Sequence, residues 1–292
     1  MLNFFVYIFS YPFILITSLL PHSILYLISD LLSFILYRIL KYRLKIVRKN
    51  ILLCFPKFSK NELNLIEKKF YSHMCDVFIE MIKGLTISRN EIKKRFKFQN
   101  IELIRSFQKK SKSVVLICGH FSSWEGMLSI GLHLDYPAYG IYTPLSNKYF
   151  DKLFSKARER NKSYLLNRYK ALVSIRNDFN KKKTALYGFA MDQSPRPSSK
   201  TYWKEFLGNK VPVFSGAERV SKEYGFPVVY TSINREKRGF YSAKVSLVSE
   251  FPKKTKSNEI TDIFYDKLES QIKEDPSQYL WTHNRFKYLK TD

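Results

Sequence analysis

The sequence predicts an α/β protein with a mixed central sheet flanked by helices, preceded by a hydrophobic helical segment that anchors the chain in a membrane. Two observations support this fold class. The first 29 residues contain no Asp, Glu, Lys or Arg, which is typical of a segment that enters a bilayer. Farther along the chain, short apolar runs rich in β-branched residues alternate with stretches of helical periodicity, and this alternation is typical of α/β folds.

The composition of the 292 residues excludes several protein classes. Apolar residues make up 45% and charged residues 26% of the chain, so it is not intrinsically disordered. Three widely spaced cysteines form neither a disulfide framework nor a CxxC metal site, which favours a reducing compartment. The formal net charge of +25 predicts an anionic partner, which is nucleic acid, anionic lipid or an acidic protein.

The uncharged N-terminal segment is followed at once by basic residues between Arg38 and Lys49. An apolar block with a positive flank is typical of a membrane segment whose basic side stays in the cytoplasm. Residues 2–20 are long enough for a helix that crosses a bilayer core, and Pro12 is expected to kink or tilt it. The segment is not a cleavable signal peptide, because it lacks a basic n-region and a small-residue cleavage site.

The pattern of residues 22–47 predicts a second helix that lies in the membrane interface. Four polar residues fall close to one face of this helix: Asp30, Ser33, Lys41 and Lys45. Apolar residues occupy much of the rest, as in interfacial helices. We therefore divide the chain into a membrane anchor with an interfacial helix, residues 1–46, and an α/β domain, residues 47–292. A hairpin buried in the soluble core is the alternative, although it has no need of 29 uncharged residues.

The remainder of the chain predicts the elements of the α/β domain in order. A helix begins after Ser59, because Ser59 and Glu62 form an S-x-x-E capping box before an apolar helical periodicity. The apolar run SVVLIC, residues 113–118, predicts a buried strand. Further strands are predicted from Ala138, Thr184, Pro227 and Phe240. Further helices are predicted after Trp124 and over residues 147–160, 169–179, 215–224 and 258–273.

His120 is the strongest candidate for catalysis among the five histidines. It stands two residues beyond the run SVVLIC, and open α/β sheets bind their ligands at such strand ends. Glu125 follows five residues later, which on a regular helix lies about 140° away, so a contact with His120 requires a loop or an irregular turn. A histidine beside a carboxylate is the minimum for general-base catalysis on a hydroxyl. The other histidines are interpreted as structural: His22, His73, His133 and His283.

The sequence contains no G-x-S-x-G elbow, no P-loop and no Rossmann glycine fingerprint. The attacking hydroxyl is therefore expected to belong to a substrate rather than to a serine of the enzyme. Cys118 and His120 are close in sequence, but no second pair of soft ligands stands at a zinc spacing. We expect neither a metal site nor a cofactor.

The segment GHFSSWEG, which contains His120 and Glu125, resembles the His-x4-Asp/Glu box of the lipid A biosynthesis (lauroyl/myristoyl) acyltransferases. These enzymes belong to the lysophospholipid acyltransferase-like superfamily. Four further segments resemble the same family in the same order: VRKNILLCFPKFSKNEL from Val47, YTPLSNKYFDKLFSKARER from Tyr142, the block from Met191 to Tyr230, and YLWTHNRFK from Tyr279. Five ordered blocks cover nearly the whole chain and are far more specific than the His box alone.

The resemblance implies an acyltransferase-type α/β domain on the cytoplasmic side of the bacterial inner membrane. It implies transfer of a fatty acyl chain from an acyl carrier protein thioester to a hydroxyl of an anionic lipid acceptor, a lipid A precursor. In this reaction His120 removes the hydroxyl proton and Glu125 orients His120. Arg158, Asp192 and Gln193 are the expected substrate-binding residues, and Arg158 is also a candidate for stabilising the oxyanion.

The sequence leaves alternatives open for the identity of the acceptor and for the surface that binds an acidic partner. Glu125 stands where glycerolipid relatives carry Asp, which favours the lipid A branch, whereas the stretch SPRPSSKTYW after Gln193 replaces an expected Gly-rich form. A lysophospholipid or aminolipid O-acyltransferase of the same fold is the alternative enzyme. The runs 181–183 and 253–256 are candidate docking sites for an acidic partner, or simply solvated lysine-rich faces.

Two alternatives come from other functional classes, a nucleic-acid-binding protein and a membrane tether without catalysis. The pI of 9.8, with 24 Phe and 20 Tyr, permits the first. The uncharged N-terminal segment and the absence of a recognisable binding motif count against it. We therefore expect no nucleic-acid partner.

Overall fold

The computed structural model of the chain describes residues 2–290 and begins with two apolar helices, α1 (Leu2–Leu19) and α2 (His22–Phe34). Both are long and apolar enough to cross a bilayer when α2 is taken together with the π-helical turn Ile35–Ile39 that extends it. Only 6% of Leu2–Leu19 and 17% of His22–Ile39 is buried. This exposure contradicts the alternative of a hairpin buried in the soluble core.

The predicted single helix over residues 22–47 is wrong in its last third. Lys41 and Arg43 have positive φ angles of 47° and 52°, which are incompatible with a continuous right-handed helix. A separate helix, α3 (Leu44–Cys54), begins after this break. The predicted boundary between residues 46 and 47 lies inside α3. The two predicted segments also include residues 1, 291 and 292, which lie outside the part of the chain that the structure describes.

The polar side of α2 contacts the α/β domain. Ser29 donates a hydrogen bond of 2.7 Å to Asp76 Oδ1, and Asp30 forms an ion pair of 2.6 Å with Arg238. Tyr26 donates through its hydroxyl to Glu80 at 3.0 Å. Because these partners are spread over more than one element of the domain, α2 is fixed to it rather than tethered loosely.

The remaining helices are α4 (Lys60–Lys83), α5 (Arg89–Arg95), α6 (Glu102–Lys109), α7 (Lys148–Glu159), α8 (Ala171–Asn180), α9 (Gly216–Tyr224) and α10 (Glu259–Glu274). The strands are β1 (Phe96–Gln99), β2 (Val114–Cys118), β3 (Ala138–Tyr142), β4 (Ser163–Asn167), β5 (Leu186–Ala190), β6 (Tyr202–Phe206), β7 (Asn209–Val213), β8 (Val228–Lys237) and β9 (Phe240–Ser249). Short 3₁₀ helices span Trp124–His133, Pro252–Lys254 and Pro276–Gln278. The predicted capping box before α4 is confirmed, with Ser59 and Glu62 bonded reciprocally.

Seven strands form one sheet in the order β1-β9-β8-β2-β5-β3-β4, and β6 and β7 form a separate hairpin. Every neighbouring pair of the large sheet is parallel except β8 and β9, which are antiparallel. The sheet is therefore mixed, as predicted. All five residues of β2 are buried, which places this strand at the centre of the fold.

Two hydrophobic clusters cover the two faces of the sheet. Val115 and Ile117 of β2 belong to one cluster, whereas Val114, Leu116 and Cys118 belong to the other. This division follows from the alternation of side chains along a strand. The core therefore holds β2 rigidly on both faces, and the residues that follow its C-terminal end are positioned by that rigidity.

Candidate active site

The register of two parallel strands brings His120 and Asp192 together. Cys118 at the end of β2 lies opposite Ala190 at the end of β5, and each strand is followed two residues later by one of the two side chains. His120 Nδ1 lies 2.8 Å from Asp192 Oδ1, and the His120 backbone N–H donates to the same oxygen at 3.1 Å. Asp192 therefore fixes both the backbone and the ring of His120.

This contact determines which nitrogen of His120 is free to take a proton. An ionised carboxylate only accepts hydrogen bonds, so Nδ1 carries the proton that faces Asp192 and Nε2 of the neutral ring is an acceptor. Within residues 2–290, no group forms a hydrogen bond with Nε2. The His120 side chain retains 18% of its exposure, against 3% for Asp192. The arrangement thus leaves one basic nitrogen accessible to a substrate.

The same pair shifts both pKa values. Burial lowers the pKa of His120, but the charge of Asp192, the hydrogen bond to it and the more distant charge of Glu125 raise it further, so the net direction is upward. For Asp192, burial raises the pKa, whereas the charge of His120, its ring hydrogen bond and the backbone N–H donors outweigh burial and lower it. Both shifts favour an imidazolium facing a carboxylate once the ring has accepted a proton.

Glu125, which the resemblance assigns to orienting His120, makes no hydrogen bond to that ring. Arg158 holds it instead, with Nε donating to Oε2 at 3.1 Å and Nη2 donating to Oε1 at 2.7 Å. The physical reason is the 3₁₀ helix that begins at Trp124, one residue before Glu125, since it directs Glu125 toward α7. Trp124 itself lies against the His120 ring, edge to face, with centroids 5.7 Å apart.

Arg158 keeps donors that Glu125 does not use. The two bonds to Glu125 use Nε and Nη2, and Nη1 has no hydrogen-bond partner in the part of the chain that the structure describes. The side chain is 18% exposed. A guanidinium held in a fixed plane with a free N–H pair is suited to bind a carbonyl oxygen or a phosphate.

Glu125 and Arg158 also line a cleft that runs beneath α2, α4 and α5. Its empty space is about 780 Å³, including the solvent at its mouth. Apolar side chains supply much of the lining: Met81, Ile87, Ile92, Phe96, Leu128 and Phe154. Glu80, Lys83 and Arg95 also line it, so the cleft combines charged groups with partly apolar walls.

The segment after the 3₁₀ helix Pro276–Gln278 supports the His120 loop. Leu280 N–H donates to the His120 carbonyl at 3.1 Å, and Ser122 N–H donates to the Gln278 carbonyl at 2.9 Å. His283 Nε2 accepts from Ser194 N–H at 3.2 Å, and Trp281 is fully buried. Trp281 and His283 thus pack this segment against the site.

The other candidate residues make fewer contacts within the site. Gln193 follows Asp192, but its side chain makes no hydrogen bond within the described residues. Burial raises the pKa of the Cys118 thiol to about 12, so the thiol stays protonated and is a poor metal ligand. Between residues 2 and 290, no group of three or more His, Cys, Asp or Glu side chains is arranged to hold a metal ion.

Both lysine runs lie at the edge of the sheet opposite to His120. Residues 181–183 immediately precede β5, whereas Asp192 follows its far end. The run 253–256 follows β9, whose last residue pairs with the first residue of β8. A five-residue strand is about 15 Å long, so a partner bound at either run is separated from His120 by at least the length of the sheet.

Comparisons with known proteins identify the family of this chain. The family model described as bacterial lipid A biosynthesis acyltransferase matches residues 1–288. The lipid A biosynthesis lauroyltransferase of Escherichia coli K12 is 26% identical over 272 residues, covering 92% of this chain and 87% of that protein. The palmitoleoyltransferase of the same strain is 24% identical over 274 residues, covering 92% and 86%.

A lipid A biosynthesis acyltransferase of Haemophilus influenzae is 26% identical over 248 residues, which is 84% of this chain and 78% of that protein. The family model extends over the two N-terminal helices as well as the α/β domain. With His120 and Asp192 at the strand ends and Glu125 beside them, the chain is an acyltransferase that belongs to the bacterial lipid A biosynthesis acyltransferase family.

Proposed function

We propose that this protein transfers a fatty acyl chain from an acyl carrier protein thioester to a hydroxyl of a lipid A precursor, at the cytoplasmic face of the bacterial inner membrane. The observation that carries the proposal is the free Nε2 of His120, whose ring is held by Asp192. The names of the curated relatives support the acceptor class. The net charge of +25 suits an acidic carrier protein and an anionic lipid surface.

The proposed reaction follows from which groups of the site can accept and return a proton. His120 Nε2 takes the proton of the acceptor hydroxyl as its oxygen attacks the thioester carbonyl, and Asp192 stabilises the imidazolium that forms. The tetrahedral oxyanion collapses, the carbon–sulfur bond breaks, and the departing thiolate takes the proton back from His120. Asp192 therefore fills the orienting role that the sequence assigned to Glu125.

Glu125 and Arg158 act on the developing negative charge. Glu125 fixes the plane of the guanidinium through two hydrogen bonds, which leaves Nη1 of Arg158 as a donor for the oxyanion. The thioester end of the acyl chain lies at this pair, and the chain extends along the apolar side chains of the cleft that the pair lines. Such a cleft replaces water around the chain with apolar side chains.

The anchor helices place this chemistry at a membrane. α1 and α2 expose large apolar side chains along their length, and the polar side of α2 is fixed to the α/β domain. A lipid acceptor therefore does not have to leave the bilayer completely to reach His120. Full-length protein is expected to remain in the membrane fraction in high salt, because apolar insertion is not screened by ions. Release by salt alone would show that only the basic residues bind the membrane.

The test of the proposed function is direct identification of the product. Purified full-length protein is incubated with an acyl carrier protein thioester and a lipid A precursor, and mass spectrometry is expected to show one added acyl chain. A lysophospholipid and an aminolipid are offered in parallel reactions. Preferential acylation of either one would replace the proposed acceptor, and equal rates with acyl-CoA would replace the proposed donor. His120→Ala serves as the inactive control.

A further inference from the structure

A second cleft lies beyond Asp192 and takes no part in the proposed mechanism. Its empty space is about 580 Å³, including the solvent at its mouth, and three cationic side chains line it: Arg196, Lys200 and Arg219. Hydroxyl side chains of Ser198, Thr201 and Ser215 also face it, and the lining contains no Asp or Glu. This surface is termed the cationic cleft.

The three cations of the cleft have no counter-charge. None of their side chains forms an ion pair or a hydrogen bond within residues 2–290. Two nearby lysines are paired: Lys204 of β6 lies 3.0 Å from Asp266, and Lys222, on the same helix as Arg219, lies 2.8 Å from Glu218. Three uncompensated positive charges in one concavity create a local potential that attracts an anion.

The cationic cleft lies at the same edge of the sheet as His120. Arg196 is four residues after Asp192, so their Cα atoms are separated by at most about 14 Å. Arg219 is in the first turn of α9, and α9 leads into β8. Because β8 is parallel to β2, it begins at the edge of the sheet opposite to His120. The start of α9 therefore lies near the edge that carries His120. The cleft and the basic Nε2 are therefore within reach of one head group.

We infer that the cationic cleft binds a phosphate monoester on the sugar head group of the acceptor lipid, and so selects which hydroxyl reaches His120. Two guanidinium groups and an ammonium match the several acceptor oxygens of a phosphate. A concave site suits a compact group, whereas an acidic protein surface would meet cations on a convex face. The inference rests on the proposed function, because it names how the same acceptor is held.

The first measurement is equilibrium binding to detergent-solubilised full-length protein. The probes are a lipid A precursor that carries its phosphates, the same precursor after phosphatase treatment, and inorganic phosphate. Wild-type protein is expected to bind the phosphorylated precursor at least about tenfold more tightly than the dephosphorylated one. Equal affinities overturn the inference, and so does displacement of the precursor by equimolar inorganic phosphate, which would identify a site for the free ion.

The second measurement uses charge-matched variants. Arg196→Gln, Lys200→Gln and Arg219→Gln together are expected to abolish the preference and to raise KM for the acceptor about tenfold or more, with a smaller change in kcat. The control is Lys181→Gln, Lys182→Gln and Lys183→Gln together, which removes the same charge at the opposite edge and is expected to keep the preference. The replaced side chains are exposed, and the thermal midpoint verifies that each variant folds.

Two further outcomes separate the inference from the proposed function. A rise in KM for the carrier thioester, with no change for the acceptor, would identify an acidic protein as the ligand and overturn the inference. If wild-type protein prefers the phosphorylated precursor but transfers no acyl chain to it, the inference stands and the proposed reaction fails. The binding comparison on wild-type protein needs no variant and no turnover, so the two failures remain distinguishable.

Discussion

Asp192 and Glu125 are the two carboxylates of the site, and different partners hold them. Asp192 follows a central strand, is 3% exposed and faces an imidazole, whereas Glu125 lies in a 3₁₀ helix, is 23% exposed and faces a guanidinium. Imidazole exchanges a proton near neutral pH, but guanidinium stays charged. In the proposed mechanism the strand-end pair, His120 and Asp192, therefore moves protons, and the helical pair, Glu125 and Arg158, presents a fixed charge.

The strongest test of this division is His120→Ala. Removal of the base is expected to lower kcat/KM by about 10²–10⁴ while the protein stays folded and membrane-bound. The matched control is His133→Ala, because His133 ends the 3₁₀ helix that carries Glu125 and takes no part in the site. Near-normal turnover of the His120 variant, measured with the carrier thioester, would refute the general-base mechanism.

Asp192→Asn tests whether the strand-end carboxylate orients the ring. An amide can present its own N–H to Nδ1 and so favour the wrong tautomer, and kcat/KM is expected to fall about 10²–10³-fold. Asp178→Asn is the control, since Asp178 of α8 accepts a hydrogen bond from Tyr187 near the start of β5, away from His120. If kcat/KM fell less in Asp192→Asn than in Glu125→Gln, Glu125 rather than Asp192 would be the residue that orients the ring.

The helical pair is tested by Arg158→Lys, which keeps the charge and removes the planar fork. We expect kcat/KM to fall about 10–100-fold through kcat, because the lost donors act on the oxyanion. Arg160→Lys is the control, as Arg160 binds backbone carbonyls of the loop before α5 rather than Glu125. A change confined to KM for the acceptor would instead make Arg158 a lipid-binding residue.

The pH dependence separates the two pairs more finely. The base must be neutral to act, so activity rises with pH through the pKa of His120, which Asp192 raises. Asp192→Asn is therefore expected to shift the acid limb of kcat/KM to lower pH, in addition to lowering the plateau. The distant charge of Glu125 is the weakest upward influence on His120, so Glu125→Gln should shift the limb less. An upward shift in the Asp192 variant would contradict the assignment.

The smallest effect is expected at the opposite edge of the sheet. Reversal of the charges of Lys181, Lys182 and Lys183 should change kcat/KM with the carrier thioester by no more than about twofold in physiological salt, because the distance to His120 exceeds the Debye length of about 8 Å. The rate is measured across ionic strength with the carrier thioester and with acyl-CoA. A large loss with the carrier alone would show that the carrier docks far from the reacting thioester.

Much of the fold was predictable because its central strands are buried on both sides. The strands at residues 113, 138, 184, 227 and 240 read as apolar runs and are confirmed. β1 and β4 escaped prediction because they lie at the two edges of the sheet and are only partly buried, so neither shows a continuous apolar run. The break at Lys41 and Arg43 has no glycine or proline to mark it.

The site was predictable as a set of residues more than as a set of contacts. His120, Glu125, Arg158 and Asp192 were expected at the site, and the structure brings them into two pairs. Short sequence spacing favoured Glu125 as the partner of His120, whereas the register of parallel strands pairs His120 with Asp192 across 72 positions. A signal was available, since His120 stands two positions after one predicted strand and Asp192 lies at the end of another. The cationic cleft could not be anticipated, because Arg219 joins it only through the fold.

The segment that supports the His120 loop has a consequence for the order of folding. Asn50 of α3 donates to the Trp281 carbonyl, 231 positions away, and the Leu280 N–H secures the His120 carbonyl. Contacts of such long range close large loops and form late. During synthesis the anchor helices and His120 leave the ribosome well before residues 278–283 do. If the proposed function is right, a nascent chain reaches the membrane before it gains a competent base, and a chain stopped at residue 277 is expected to be membrane-bound and inactive.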